Sequence, residues 1–338
     1  MNMKKRKVLS VLYAFLATTL LGMTLTASAA DRELKASHQW PGGKGDIRDE
    51  MVQMIARDVN NAKVGLKITV YPGKSLYKPK EQWGAITKGN LDFTAFPLAY
   101  AAGRHPEFDL TLMPGLVKNH EHAQRLNKSP FMARIKKIMN DAGVIVLADT
   151  WLAGGFVSKK NCILNPEDVK GQTFRAAGKA FNEMLAGAGA SISKMPSSEI
   201  YSALQTGVLD GANTSSASLV SYRIYEQVTC LTAPGENALW VMYEPILMSK
   251  KTFDSLTKAQ QDLIIKAGKK AEQFAYEGAK KTDDVLVETY KKAGVKVVSM
   301  TPEQAAAWKK IADKTSYKNF VDTVKGGREL LDMALSVE

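Results

Sequence analysis

The chain has 338 residues, of which 45% are hydrophobic and 24% are charged, and its formal net charge is +12 at pH 7. This length predicts about two domains with a sizeable buried core. The basic residues are scattered along the chain and form no blocks interleaved with aromatic residues, which argues against nucleic acid as a partner.

Residues 1–30 have the three-part pattern of a secretory signal peptide. The basic segment MNMKKRK is followed by the apolar run VLSVLYAFLATTLLGM and then by the small residues of TLTASAA. The apolar run is short for a membrane anchor, which needs ~20 residues, so cleavage near Ala29 or Ala30 is expected. Cleavage removes four basic residues and no acid, so the net charge falls from +12 to +8 and a soluble, exported chain remains.

The first half of the exported chain predicts alternating strands and helices. Strands are predicted at 34–38, 66–71 and 91–96, and helices at 47–59 and 81–88, with Gly89 as the C-cap of the second helix. This order is typical of an α/β layer with parallel strands and right-handed crossovers.

The second half repeats the same order of elements. Strands are predicted at 171–177, 190–195 and 208–215, and helices at 179–189 and from Glu199 to Gly207. Ser197 and Ser198 precede the second of these helices, where their hydroxyl groups are suited to cap its N-terminus. Each half is therefore predicted to be one strand–helix–strand–helix–strand unit.

A direct echo in the sequence supports this duplication. The segments EQWGAITKGNLDF and EIYSALQTGVLDG align when Glu81 is placed on Glu199, 118 positions later. The aligned pairs of the same residue type or character are Trp83 and Tyr201, Ala85 and Ala203, Ile86 and Leu204, Gly89 and Gly207, Leu91 and Leu209, and Asp92 and Asp210. The repeat predicts an α/β fold with two domains of the same design and mainly parallel strands.

Several later segments connect the two predicted domains. Residues 142–160 and 238–251 each predict an extended strand that is long enough to cross from one domain to the other. A capping box formed by Thr257 and Gln260 opens a helical pattern of about two dozen residues or more, which is long enough to brace both domains. A strand at 296–300 and a final helical pair complete the chain.

These connections predict a periplasmic-binding-protein architecture with a hinge and a cleft. The first domain is expected to contain 31–152 and 244–281. The second is expected to contain 153–243 and 282–338. A chain that crosses several times between its domains favours hinge motion over independent domains.

Cysteine and histidine usage indicates neither a metal nor a cofactor. Cys162 and Cys230 form an even pair, which in an oxidising compartment predicts one disulfide, with two buried thiols as the alternative. His120 and His122 lie two apart, so on a helix they face different sides and are poorly placed to share a metal. The sequence has no phosphate-binding loop, G-x-S-x-G motif or C-x-x-C pair, which favours a binding protein over an enzyme.

Ligands of open α/β sheets bind at the carboxyl ends of the strands. Applied to both repeats, this rule predicts a cleft between two facing edges, with Trp151 and Trp240 on the crossing strands as walls. The candidate ligand-binding residues are Ser37, Gln39, Trp40 and Phe96 on the first edge, and Arg175, Ser197, Asn213 and Thr214 on the second. The aromatic members are equally typical of a hydrophobic core, and that alternative stays open.

Arg175 is the sharpest of these candidates. A guanidinium group is always charged and pairs with a carboxylate through two parallel hydrogen bonds. Neighbouring Asn213 and Thr214 are suited to satisfy the remaining carboxylate oxygen positions. The alternative is a surface arginine that is paired with a structural acid.

The runs PEDVKGQTFRAAG and PSSEIYSALQTGVLDGANTS resemble the signature of dicarboxylate-type solute-binding proteins of tripartite ATP-independent periplasmic (TRAP) transporters. The resemblance covers nearly the whole exported chain. It implies a two-domain periplasmic receptor that captures an organic acid and delivers it to a membrane permease. We expect this receptor to be a monomer without a cofactor. It also implies that Arg175 is the arginine with which the family clamps a carboxylate.

The sequence departs from the family pattern at two places. Asn213 and Thr214 stand where the family often has Glu followed by Asn or Trp. A second basic residue occurs in some members near the end of the first crossing strand, where this chain has Gly154 and Gly155. These departures favour a monocarboxylate with an apolar, aromatic or hydroxylated body. A receptor of an ABC importer, or a periplasmic enzyme that acts on an organic acid, is the alternative function.

Overall fold

The computed structural model describes residues 31–338, so the predicted signal segment lies outside the described residues. Within this range no helix combines the length and the apolar character that crossing a membrane requires. The strands in chain order are β1 (Arg32–Ser37), β2 (Leu66–Tyr71), β3 (Phe93–Ala95), β4 (Val144–Ala148), β5 (Trp151–Ser158), β6 (Thr173–Arg175), β7 (Ser191–Ile192), β8 (Gly211–Ser215), β9 (Cys230–Thr232), β10 (Trp240–Tyr243), β11 (Ile246–Ser249) and β12 (Lys296–Val298).

Helices cover these strands on both faces. In chain order they are α1 (Ile47–Asn61), α2 (Gln82–Thr87), α3 (His120–Asn127), α4 (Pro130–Asp141), α5 (Lys179–Gly187), α6 (Ile200–Gln205), α7 (Ser216–Ser221), α8 (Lys250–Asp254), α9 (Lys258–Lys292), α10 (Pro302–Ala312), α11 (Lys318–Thr323) and α12 (Gly327–Leu335). Short 3₁₀ segments occur at Leu98–Ala101, Pro106–Leu112, Pro166–Val169, Ser197–Glu199 and Ile224–Gln227.

The strands form two mixed sheets, and each sheet with its covering helices is called a lobe here. The first sheet has the order β2–β1–β3–β11–β4. The second has the order β12–β9–β5–β8–β6–β7, with β10 also paired with β5. Pairing is parallel within each repeat and antiparallel where the crossing strands β4, β5, β10 and β11 join the sheets.

The predicted duplication is confirmed by the strand pairing. In the first lobe β1 lies between β2 and β3 and is parallel to both. In the second lobe β6 lies in the same way between β7 and β8. Each lobe is therefore built around one βαβαβ unit with the same strand order.

The repeated aspartate has the same structural role in both units. The Asp92 carboxylate accepts a hydrogen bond of 2.8 Å from the backbone N–H of Lys35 on β1. The Asp210 carboxylate accepts one of 2.8 Å from the backbone N–H of Thr173 on β6. Gly89 and Gly207 both adopt the left-handed conformation that ends the preceding helix, with φ of 73° and 77°. The repeated residues thus turn the chain from helix to strand and tie that strand to the first strand of its unit.

Some predicted elements are shorter in the structure. The strand predicted at 190–195 is reduced to β7, which has two residues. Ser197 and Ser198 do not cap the following helix, because they are part of a 3₁₀ turn, with Pro196 at its N-cap, that leads into α6. This turn changes the direction of the chain next to the cleft.

Each of the two crossing segments is broken between the sheets. Asp149 and Thr150 separate β4 in the first sheet from β5 in the second, and Glu244 and Pro245 separate β10 from β11. The two breaks lie side by side, since the Glu244 N–H donates a 2.8 Å hydrogen bond to the Thr150 carbonyl oxygen. The predicted crossing strands are therefore confirmed, with an interruption between the two sheets.

Helix α9 begins with the predicted capping box and has 35 residues. It contacts α1 and β4 of the first lobe and α7 and β12 of the second. Ala267, Ala271, Ala275 and Ala279 are buried along one face at intervals of four residues. Gly268 is needed on this face because a Cβ atom there would lie 2.4 Å from the carbonyl oxygen of Leu147. Small residues thus let one helix pack closely against both lobes.

A disulfide joins Cys162, in the segment after β5, to Cys230 at the start of β9, 68 positions along the chain. We expect the double variant Cys162→Ser, Cys230→Ser to have a free energy of unfolding about 2–4 kcal/mol lower, because the bridge restricts the unfolded chain. Urea unfolding without reductant measures this difference. Dithiothreitol treatment of the parent chain should reproduce the loss and leave the variant unaffected. An unchanged unfolding midpoint in the variant would contradict the expectation.

Candidate functional site

Arg175 is the last residue of β6, and its side chain is completely buried between the lobes. Its guanidinium donates three hydrogen bonds. Nε donates to the Met195 carbonyl oxygen at 2.9 Å, Nη1 to the Asn213 carbonyl oxygen at 3.0 Å, and Nη2 to the Tyr100 hydroxyl at 2.8 Å. All three acceptors are uncharged. Within the described residues Arg175 therefore forms no salt bridge, although its charge partly offsets the rise in the pKa of the buried Glu244.

Tyr100 connects this guanidinium to the first lobe. It lies in the 3₁₀ segment that follows β3, and its ring packs against Phe96 with 6.2 Å between the ring centroids. Its hydroxyl oxygen accepts hydrogen bonds from Arg175 and, at 3.1 Å, from the backbone N–H of Ser197. Tyr100 was not among the predicted site residues. Its position four residues beyond Phe96 at the carboxyl edge was the available signal.

A second buried arginine, Arg48, lies at the same interface, and its charge is compensated. It contacts Asp46 at 2.7 Å and Glu244 at 2.5 Å, and both carboxylates are almost fully buried. The same guanidinium donates to the hydroxyls of Ser215 and Ser218 in the second lobe, at 2.9 and 3.0 Å. Its Cζ atom lies 3.9 Å from the ring centroid of Trp40. The cluster joins α1, the second crossing segment and the start of α7.

The two carboxylates of this cluster respond differently to burial. Burial by itself raises the pKa of Asp46, but the charge and hydrogen bonds of Arg48 outweigh it and lower the pKa below the ordinary value. At Glu244 burial prevails over the attraction of Arg48, and the pKa lies above the ordinary value. Arg48 therefore stabilises the ionised form of Asp46 fully, whereas it only partly offsets the cost of burying the charge of Glu244.

Four of the predicted site residues have buried polar atoms with no hydrogen-bond partner in residues 31–338. They are the Ser37 hydroxyl, both amide atoms of Gln39, both amide atoms of Asn213 and the indole nitrogen of Trp240. Such atoms are rare in proteins and mark places where another molecule or water completes the hydrogen bonding. Gln39 is also held in place through its backbone carbonyl oxygen, which accepts a 2.8 Å hydrogen bond from the Tyr222 hydroxyl.

Asn213 and Thr214 point to opposite faces of the second sheet, since side chains alternate along β8. Arg175 is the register partner of Ala212, so Thr214 shares its face and Asn213 does not. Asn213 instead lines a separate cavity together with Trp240. The structure thus brings Arg175 together with Ser197 and the backbone of Asn213, and it places the amide of Asn213 elsewhere.

The other predicted aromatic residues lie in well-packed surroundings. Trp151 donates from its indole nitrogen to Asn127 at 2.7 Å and lines a 290 Å³ pocket between α3 and α9, which does not include Arg175. The indole nitrogen of Trp40 donates to Ser218 at 3.3 Å. Phe96 is fully buried next to Trp83 and Tyr100. Among these three residues, Phe96 packs directly against the tyrosine that binds Arg175.

An open cleft of about 610 Å³ leads from the surface towards Tyr100 and Met195. Its walls come from both lobes, with Ala99 and Gly103 on one side and Ala176 and Gly178 on the other. Its ionisable lining residues are Lys80, Lys179, Lys194 and Glu183. The excess of positive charge favours the approach of an anion, although Arg175 itself does not line the cleft and only its hydrogen-bond partners Tyr100 and Met195 do.

Asp109 forms a further contact across the interface. This residue of the first lobe is 4% exposed, and its carboxylate accepts a 3.3 Å hydrogen bond from the backbone N–H of Lys179 at the start of α5. Burial raises the pKa of Asp109 from 3.8 to about 6, because it outweighs the backbone hydrogen bonds and the charge of Lys179. The neutral acid is therefore the better accommodated form.

We expect this carboxyl to make stability depend on pH. Because its pKa is higher in the folded than in the unfolded chain, its contribution to stability is complete below about pH 4 and is lost as the pH rises through about 6. Relative to the variant Asp109→Asn, the parent chain should lose up to about 3 kcal/mol of unfolding free energy over that range. Urea unfolding of both proteins at several pH values measures the difference, and a difference that does not change with pH would contradict the expectation.

The two neighbouring histidines have separate partners. His120 contacts Asp283 at 2.8 Å, whereas His122 accepts from the backbone N–H of Lys118 and contacts the Val337 carbonyl oxygen. No group of three or more potential metal ligands occurs within residues 31–338.

Comparison with known proteins gives consistent results. The family model for bacterial extracellular solute-binding protein, family 7 (DctP), matches residues 37–323. A solute-binding protein of Albidiferax ferrireducens is 38% identical over 336 residues, which is 98% of this chain and 99% of that protein. The C4-dicarboxylate-binding periplasmic protein DctP of Rhodobacter capsulatus is 25% identical over 317 residues, 91% of this chain and 92% of its own length.

The crystal structure of a TRAP periplasmic solute-binding protein from Rhodoferax ferrireducens with bound malonate is similar to this chain. It has a TM-score of 0.86 and 39% sequence identity, and the match covers 90% of this chain and 98% of that one. The predicted two-domain fold is confirmed by this similarity. Since the family model and these relatives cover almost the entire described chain, the protein belongs to the DctP family of TRAP solute-binding proteins, whose members are periplasmic.

Proposed function

We propose that this TRAP solute-binding protein captures an organic acid between its lobes by binding the carboxylate to Arg175, and delivers it to the membrane permease of a TRAP transporter. The observation that supports this proposal is the buried charge of Arg175, which has no salt bridge in residues 31–338. A fully buried guanidinium with only uncharged acceptors is unfavourable unless an anion joins it.

The hydrogen-bonding capacity of Arg175 supports a carboxylate as that anion. A guanidinium has five N–H groups, and three are used by Met195, Asn213 and Tyr100. The remaining two, on Nη1 and Nη2, have no acceptor in residues 31–338 and would suit the two oxygens of one carboxylate when the lobes part at this buried place. Tyr100 comes from the first lobe, so a ligand at this place contacts both lobes.

The charge inventory favours a ligand with one carboxylate at this site. Arg48, the other buried arginine at the interface, is already paired with Asp46 and Glu244. The stretch that carries a second basic residue in some family members has Gly154 and Gly155 here. The malonate bound by the Rhodoferax relative, which is 39% identical, supports a carboxylate as the ligand class, but malonate has two carboxylates and does not support the choice of a single one.

The crossing segments and α9 suggest how the lobes close. Hinge rotation at Asp149–Thr150 and at Glu244–Pro245, together with bending of α9 near residue 281, would move 31–152 and 244–281 as one domain against 153–243 and 282–338. Closure is favoured by contacts that form only when both lobes touch the ligand. We place this monomeric receptor in the periplasm after removal of the predicted signal segment, and we propose no catalytic role.

A ligand screen tests the proposed function. The refolded protein, freed of any co-purified ligand, is heated with single monocarboxylates, dicarboxylates and uncharged sugars, because a ligand of the folded state raises the melting temperature. Calorimetric titration with the compounds that raise the melting temperature should show one saturable carboxylate site per chain. NMR spectra of the ligand before and after incubation separate capture from turnover. Binding of uncharged sugars alone, or conversion of the acid to a product, would refute the proposal.

A further inference from the structure

A second cavity, of about 250 Å³, lies within the second lobe. Strands β5 and β8 and the start of β10 form its floor, and the loop before β10 and the residues after β12 form its rim. The apolar part of the lining includes Phe156, Leu239 and Met300. All its lining residues in the described part of the chain come from the second lobe. The cavity is therefore distinct from the cleft that leads to Arg175.

Two polar side chains of this cavity have no partner in the protein. Asn213 and Trp240 are each 1% exposed. The two amide atoms of Asn213 and the indole N–H of Trp240 form no hydrogen bond with any residue in 31–338. The cavity thus combines apolar side chains with polar groups that have no partner, and both kinds of contact occur in small-molecule sites.

The lining carries almost no charge. Glu236, at the rim, is the single ionisable residue among the lining residues that the structure describes. Gly154 and Gly155 cannot be replaced by a longer side chain without movement of the backbone. A Cβ atom on either glycine would lie 2.2 Å from a carbonyl oxygen, that of Thr214 or that of Thr232. The cavity thus offers hydrogen bonds to an uncharged group and no cation to a second carboxylate.

We propose that this cavity is a second binding site, for a small uncharged amide. The Asn213 side chain presents a donor and an acceptor side by side, and both are satisfied at once by a primary amide or a lactam, whose N–H and C=O point to the same side. The indole of Trp240 offers only a donor, which suits the amide carbonyl oxygen. Phe156 and Met300 provide apolar contact for a short hydrocarbon ring or chain.

The site is expected to act independently of Arg175. The side chains of Asn213 and Arg175 lie on opposite faces of the second sheet, and their one direct contact is made by the Asn213 carbonyl oxygen. Replacement of either side chain should therefore leave the other site intact. This independence also separates failure of the second site from failure of the carboxylate site.

Titration of the full exported chain with 2-pyrrolidinone, followed by protein NMR, tests the proposal. Saturable binding in the millimolar range is expected, with affinity about tenfold lower in Trp240→Phe, which keeps the ring packing and removes only the donor. Asn213→Leu should have at least the same effect, and its thermal unfolding shows whether it folds. Cyclopentanone, which has the carbonyl acceptor and lacks the N–H donor, should bind more weakly than 2-pyrrolidinone.

Arg175→Ala provides the matched control and should bind 2-pyrrolidinone like the parent. Absence of saturable binding in the parent would overturn the proposal and would mean that the cavity holds only water. Binding that is unchanged in Trp240→Phe, or lost in Arg175→Ala, would equally overturn it, because the amide would then occupy another place. If Asn213→Leu fails to fold, Trp240→Phe and the comparison of the two ring compounds still decide the question.

Discussion

Replacement of Arg175 by alanine or lysine is expected to reduce affinity for the carboxylate ligand by at least about 100-fold, as loss of one member of a buried charge pair does. The lysine variant retains the charge but loses the planar pair of donors, so it should also bind poorly. Isothermal titration calorimetry with the acid found in the ligand screen measures both effects.

The fold should survive this substitution, because Arg175 is bound to uncharged acceptors and leaves no unpaired carboxylate behind. Thermal unfolding without ligand checks this point. Arg57→Ala is the control, since that side chain is 55% exposed and pairs with Glu50 on the surface. Parent-like affinity in Arg175→Ala would remove this residue from the site, whatever the behaviour of the control.

Replacement of Arg48 by methionine is expected to lower the free energy of unfolding by about 3–5 kcal/mol, because Asp46 and Glu244 would remain buried without their cation. Urea unfolding at neutral pH measures this loss. The loss should become smaller in acid, where both carboxyls are protonated and no longer need a positive partner.

A triple variant provides the control for this second prediction. Asp46→Asn, Arg48→Met and Glu244→Gln together remove all three charges, and this variant should recover much of the stability lost in Arg48→Met alone. The single variant should still bind the ligand when it is folded, because Arg175 is unchanged. A single variant as stable as the parent chain would mean that the cluster has little influence on folding.

The residues that define the duplicated unit could be identified from the sequence because their interactions are local or repeated. Asp92 and Asp210 recur at equivalent places, and each binds the backbone of the first strand of its unit. Gly89 and Gly207 recur because the turn from helix to strand requires a left-handed residue. Capping boxes at Thr257 and Thr301 are likewise readable over four positions.

The partners of the candidate site residues depend on segments that are distant in sequence. Arg175 meets Tyr100 across 75 positions, and Arg48 meets Glu244 across 196. In the sequence nothing distinguishes Arg48 from the other charged residues of its amphipathic helix. Its burial results from the crossing segment, which covers it in the folded protein. The stretch containing Tyr100 indicated an aromatic edge without showing which aromatic residue reaches the guanidinium.

By itself the sequence predicted the export signal, which lies outside the described residues, and determined the duplicated α/β units and the place of an arginine at the end of β6, since these follow from composition, periodicity and repetition along the chain. Only the tertiary structure decided that Asn213 lines a separate cavity and that Trp151 packs near the hinge. It also decided that the charge of Arg48 is balanced by two buried carboxylates. The physical reason is that strand register and the packing of the two lobes set the direction of a side chain, its burial and its charge partners. Register and packing both depend on residues that are far apart in the sequence, so a short window of residues does not encode them.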